Sequence, residues 1–261
     1  MTVKNKITFY KKNTYISYLA VNSEKIWKMT QILDKSIEHL YATFSIYTFK
    51  SKMDGCPCCV FDSDKEKIHL KQLKDLQEDD LSKYTFKAMT TWGDVNDFKH
   101  YLPRIFELIA KTDFIVDTFV VLGKLEFGKW RVWPENEQNA ITKFLFAWWE
   151  DALKNQPFFD KEIFIEIYKL TGDIKQLLNQ WAINFNDYTF LNFIDLINNH
   201  YYDISEKKDD FKILSDVSIE EFKIWINRNS KNLEKGFFHF AEKDEAFAEK
   251  ISIAQYIFER T

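Results

Sequence analysis

The chain has 261 residues, of which 46% are hydrophobic and 17% aromatic (25 Phe, 12 Tyr, 8 Trp), and its formal net charge is −4. That is apolar material for one large domain or two smaller ones with ring-rich cores. The mild acidity argues against a nucleic-acid binder, which needs a basic face to neutralise phosphate. With only 6 Gly and 4 Pro, the chain lacks the turn residues that β-rich folds consume at positive or fixed φ, so the expected class is all-α, a helical bundle or an irregular stack of helical hairpins.

Residues 1–20 alternate loosely (Ile7, Phe9, Tyr15, Ile16, Tyr18, Leu19), which allows a short N-terminal strand or arm. Lys4, Lys6, Lys11 and Lys12 read there as a solvated charge cluster. Ser23 is a candidate N-cap for a stripe of Ile26, Trp27, Met29, Ile32, Leu33, Ile37, Leu40, Tyr41 and Phe44, and the Asp54-Gly55 turn signal sets its outer limit. A loop at 54–65 carries all three cysteines. Polar helices follow over Lys65–Leu76 and Asp79–Met89, the second capped by Asp79 or Asp80. The run Thr90-Thr91-Trp92-Gly93 breaks the pattern, and Asp94 then caps a helix to Ile109. Pro103 predicts a kink in it, or two short helices meeting at Leu102-Pro103, because proline removes a donor and clashes one turn back.

Trp133-Pro134 predicts the next helix start, with Glu135 and Glu137 in the first turn where the dipole favours acids. Ile141, Phe144, Leu145, Trp148 and Ala152 give its stripe, and Trp149 widens it toward burial on two sides. After Pro157, short apolar stripes around Ile163–Leu170, Ile174–Trp181, Phe190–Tyr201, Phe222–Leu233 and Phe247–Phe258 predict successive helical hairpins with no fixed repeat. The expected organisation is an N-terminal helical part over 1–156 that carries the cysteine loop, with a C-terminal helical part over 157–261 packed against it. No stretch has the length of a membrane span, and the start lacks a signal-like apolar core. With free cysteines, the cytoplasm is the expected compartment.

The chemically pointed feature is Gly55-Cys56-Pro57-Cys58-Cys59, which gathers every cysteine of the chain into four residues. Cys56 and Cys59 have C-x-x-C spacing, in which a tight turn aims two thiolates at one zinc ion; Cys58 or one of the histidines His39, His69 and His100 would complete the set. A redox dithiol is the weaker reading, since the residues after the motif do not read as a helix start and no βαβ pattern surrounds it. Half-buried packing thiols are the plain alternative. Residues 91–107 mix Trp92, Asp97, His100, Tyr101, Arg104 and Glu107 at helical spacings. They read either as a protein-binding surface formed by Trp92, Asp97, His100 and Arg104, or as a capped helix with local ion pairs. No phosphate-binding glycine loop, H-E-x-x-H, G-x-S-x-G or kinase signature is present, so the chain leans away from an enzyme.

Gly-Cys-Pro-Cys-Cys-Val at 55–60, Thr-Trp-Gly-Asp at 91–94 and Asp-Phe-Lys-His-Tyr-Leu-Pro-Arg at 97–104 together resemble a group of bacterial helical proteins of uncharacterised activity, which pair a cysteine-rich turn with a Leu-Pro-Arg helix. The resemblance covers roughly residues 40–150 and implies that the cysteine loop and the 91–107 helix act together; it brings no activity with it. Two functions are therefore expected. One is a non-enzymatic helical protein with a protein partner and no nucleic-acid or membrane target, of the inhibitor or immunity type that meets a bacterial toxin. The other is a zinc-binding module or zinc-dependent enzyme built on the Cys56/Cys59 loop.

Overall fold

In the computed structural model, residues 29–50, 53–112 and 114–260 are described. They form twelve α-helices, and the fold is all-α. Among the described residues there is no strand, only the isolated bridges Gly55 to Trp92 and Ala88 to Trp92, and no helix is long and apolar enough to cross a membrane. The N-terminal arm and the Ser23 cap lie outside the described residues.

The chain forms two compact units. The first comprises 29–149 and 162–172, and the second includes 150–161 and 173 onward. Residues 162–172 thus group with the first unit and 150–156 with the second.

In the first unit, α1 (Gln31–Phe44) starts from Thr30, whose hydroxyl accepts the Leu33 amide, and buries Leu33, Ile37, Leu40 and Phe44. It stops at Phe44, well short of the Asp54-Gly55 turn. Its end thus coincides with the last residue of the stripe, and beyond it the Tyr47 hydroxyl and carbonyl are both used in tertiary hydrogen bonds, to Glu137 and His100. Next, α2 (Asp62–His69) begins three residues before the predicted start. Asp64 accepts the Phe61 amide at 2.9 Å, and Lys83 pairs with the same carboxylate. In α3 (Glu78–Lys87), Asp80 reaches back to the Gln77 amide instead of occupying the cap itself.

Asp94 caps α4 (Val95–Lys111), taking the amides of Asn96 and Asp97. This helix continues through Pro103 rather than dividing at Leu102-Pro103. Proline removes one intrahelical bond, but Leu102, Pro103, Ile105 and Phe106 are all buried, and each large apolar side chain so buried stabilises by about 1.5–3 kcal/mol. Burial outweighs the lost bond. A helix with no clear stripe follows, α5 (Thr118–Phe127), which is apolar on most sides. The long α6 (Glu135–Asn155) and α7 (Lys161–Thr171) supply Phe144, Trp149, Phe164 and Ile167 to the core, with the Trp149 and Phe164 rings 5.4 Å apart.

The second unit holds α8 (Ile174–Asn179), α9 (Thr189–Ser205), α10 (Asp216–Asn229), α11 (Lys231–Phe240) and α12 (Glu245–Arg260). Here α9 packs on α10 and α12, and α11 packs on α12. The core is aromatic: Phe190 stacks parallel to Phe240, and Trp181 lies against both Phe159 and Trp225. Gly236 allows the closest approach, since a Cβ there would meet Phe190 Cζ at 2.1 Å.

Candidate metal centre

The cysteine turn is clipped to the strand-like segment before α4 by backbone bonds. The Cys56 amide donates to Thr91 O at 2.8 Å, and the Gly93 amide donates to Asp54 O at 2.7 Å. Within the turn, the amides of Cys59 and Val60 both donate to Cys56 O at 2.9 Å. Met53 before the turn and Val60 after it are buried and anchor its two ends in the core. Gly93 sits at φ +70°, where a Cβ would meet Asp97 Oδ2 and Met53 Sδ at 2.9 Å. The left-handed region and the tight packing both require glycine here.

This scaffold brings the three sulfurs together. Cys56 Sγ is 2.8 Å from Cys58 Sγ, Cys58 Sγ is 3.3 Å from Cys59 Sγ, and all three lie within 4.8 Å of one another. Cys58 is exposed, and Cys56 and Cys59 are half-buried. The Cys58 thiol, with the backbone amides of Cys58 and Cys59, holds the Cys56 thiol below its ordinary value. Cys58, donating to its two neighbours and repelled by their charge, is pushed up to about 11. The group is one that could hold a metal ion.

The histidines expected beside these cysteines are placed elsewhere: the clustered ligand atoms are the three sulfurs alone. His69 ends α2 with its ring edge-on to Phe49, centroids 4.5 Å apart. Its Nε2 is buried with no hydrogen-bond partner, and burial, aided by Lys65, lowers its pKa. His100 Nδ1 lies 2.8 Å from Tyr47 O. A carbonyl can only accept, so Nδ1 carries a proton. The His100 ring neighbours Phe49 and Tyr101. The two imidazoles thus flank Phe49 rather than the thiols.

The four residues expected to form a protein-contact surface are mainly internal ties. Trp92 is 1% exposed, packed edge-on to Tyr84. Asp97 is 7% exposed; it accepts the Asp94 amide and pairs with Lys50 at 3.2 Å. Arg104 donates through Nε to Leu76 O and through Nη1 to Glu107, both at 2.7 Å, which ties the 70–76 segment to α4. Tyr41 and Lys111 also donate to Glu107. Trp92 and Asp97 are buried, while His100 and Arg104 are half-buried.

One polar constellation escaped the sequence reading. Lys99 and Glu137, both buried, form an ion pair at 2.6 Å. Lys99 Nζ also donates to Tyr47 Oη, which itself donates to Glu137 Oε1. The ammonium lies 4.3 Å from the Trp133 ring centroid and 4.8 Å from that of Tyr47. A signal was available: Lys99 is spaced three, four and seven residues from Leu102, Pro103 and Phe106, on the apolar face of α4. Lys124, also buried, donates to the carbonyls of Phe86 and Ala88 at the end of α3, where a cation complements the helix dipole.

No protein family, no curated protein and no solved structure matches the chain.

Proposed function

We propose that the chain is a metal-binding protein whose Cys56-Pro57-Cys58-Cys59 turn holds a thiophilic ion, with zinc the ion suggested by the C-x-x-C spacing. The supporting observation is the gathering of three sulfurs within 4.8 Å of one another on a turn held by backbone hydrogen bonds and buried at both ends. Zinc–sulfur bonds of about 2.3 Å place tetrahedral sulfurs about 3.8 Å apart, so loading spreads the 2.8 and 3.3 Å pairs by less than a turn's own width. The exposed Cys58 side chain is free to make that adjustment. Three protein sulfurs leave the fourth zinc position to water or to a donor from another molecule.

Elemental analysis of untagged protein purified without chelator tests the reading, together with thermal melting. About one ion per chain is expected, lost in Cys56→Ser and in Cys59→Ser. Free metal at about 100 times its Kd should stabilise the folded chain by about 2.7 kcal/mol, a gain that a chelator abolishes. A metal-free protein whose melting ignores both added metal and chelator refutes it.

A second reading keeps a protein partner of the inhibitor or immunity type. Its support is a pair of exposed apolar side chains, Phe61 and Leu70, at the two ends of the helix after the turn, since such residues mark contact surfaces when they are contiguous. A charged substitution at Phe61 or Leu70 that abolishes binding to an identified partner, with the fold intact, would favour it.

A further inference from the structure

We propose that the ion selected by the cysteine turn is a three-coordinate thiophilic one, with cuprous copper the type, rather than an ion that needs a fourth protein ligand; this rests on the metal-binding reading above. The donor set carries the argument. The clustered ligand atoms are three sulfurs, and no imidazole nitrogen or carboxylate oxygen among the described residues joins them. His100, an expected fourth ligand, is absent from the cluster, and its ring is set beside Phe49 and Tyr101. His69 is packed edge-on against the same Phe49 ring. A closed structural zinc site takes four protein ligands, and this loop supplies three.

An open zinc site is also a poor match to this donor set. Three thiolates outweigh the charge of a divalent cation and leave the centre with a net negative charge. That blunts its pull on a bound water, the property for which open zinc sites are used. A monovalent soft ion has the opposite requirements: thiolate is its best ligand, and three sulfurs complete its shell. Each thiol that binds gives its proton to solvent. The ion arrives and leaves in the same oxidation state, so no electron is transferred.

The position of Cys58 bears on the same point. A zinc site built from Cys56, Cys59 and histidine would leave Cys58 a bystander. In the structure Cys58 is the middle sulfur, touching both others at 2.8 and 3.3 Å, and it faces solvent. An exposed central ligand is also one that an incoming thiolate can displace at the ion, the displaced Cys58 thiolate taking up a proton from solvent, and by such exchange a soft ion passes between proteins.

The test is an anaerobic competition titration of the full chain. Cuprous ion is offered against a chromogenic cuprous chelator, zinc against a chromogenic zinc chelator, and Cys58→Ser and His100→Gln are run beside the parent. Circular dichroism confirms that both variants are folded; Cys58 is exposed, so its loss should not unfold the turn. The expected result is one cuprous ion per chain, bound more tightly than zinc. Cys58→Ser should weaken it by more than about 100-fold, beyond what loss of an outer-shell contact produces, and His100→Gln should leave it unchanged. Zinc held at least as tightly as copper overturns the choice of ion and leaves the metal-binding reading standing, as does copper binding indifferent to Cys58→Ser. Binding of neither ion overturns both.

Discussion

Replacing Lys99 with methionine should cost the first unit about 3 kcal/mol, and the structure gives the reasons. Glu137 is 0% exposed and Lys99 5%, so the substitution strands a carboxylate without its counter-charge, a loss of about 3–5 kcal/mol for buried pairs. Loss of the ammonium above the Trp133 and Tyr47 rings adds about 0.5–2 kcal/mol. Two effects offset this. Tyr47 Oη still donates to Glu137 Oε1, and the methionine fills the space of the lysine stem, which places the total at the lower end of the range. With a urea slope of about 1–3 kcal/mol/M, the unfolding midpoint should fall by about 1–3 M, read from tryptophan fluorescence. The companion variant, Lys99→Met with Glu137→Leu, should recover most of the loss, because hydrophobic replacement of a whole buried pair is often neutral or stabilising. A single variant within about 1 kcal/mol of the parent, or a double variant as unstable as the single, would refute the argument that the pair is held by mutual compensation.

Gly236→Ala should lower stability by about 1–3 kcal/mol, because its Cβ would lie 2.1 Å from Phe190 Cζ; chemical denaturation measures it, and adding Phe190→Leu should restore much of the loss. Glu107 supplies a pH test. Burial raises its pKa, but hydrogen bonds from Lys111, Tyr41 and Arg104 outweigh that and leave it below its ordinary 4.5. The stability it contributes is therefore full above pH 4.5 and disappears as the pH falls through the lower folded value. The stability gap between the parent and Glu107→Gln should be open at pH 7 and closed at strongly acidic pH, measured by denaturant midpoints. A gap that stays constant across that range would show that the carboxylate charge contributes nothing.

Much of the architecture could be read from the sequence because amphipathic spacing is local. The stripes Leu33–Phe44 and Ile141–Ala152, the Asp94 cap and the all-α class all follow from residues within a turn or two of one another. What the sequence could not supply came from tertiary demand. The partners of the Tyr47 hydroxyl and carbonyl, Glu137 and His100, are 90 and 53 residues away in sequence, beyond the reach of a local pattern. Pro103 stays helical because its neighbours are buried. In α5, apolar residues on most sides erase the periodicity that would have announced it. The same division runs through the candidate site. The gathering of Cys56, Cys58 and Cys59 is a local property and was legible. The destination of His69 and His100 depends on Phe49 and Tyr47, and spacing alone gave no warning of it.

The discontinuity of the first unit sets an order of assembly. Residues 29–149 leave the ribosome before the segment 162–172 that completes the unit, so Trp149 waits for Phe164, and the Arg131 guanidinium waits for the carbonyls of Lys169 and Leu170 that it will bond. The cysteine turn has no such wait, since its clamp to Thr91 and Gly93 closes within some forty residues of chain. During synthesis the thiols are therefore gathered while the body that carries them is still open. A chain severed at 149 would retain the turn but lack the last helix of its own core.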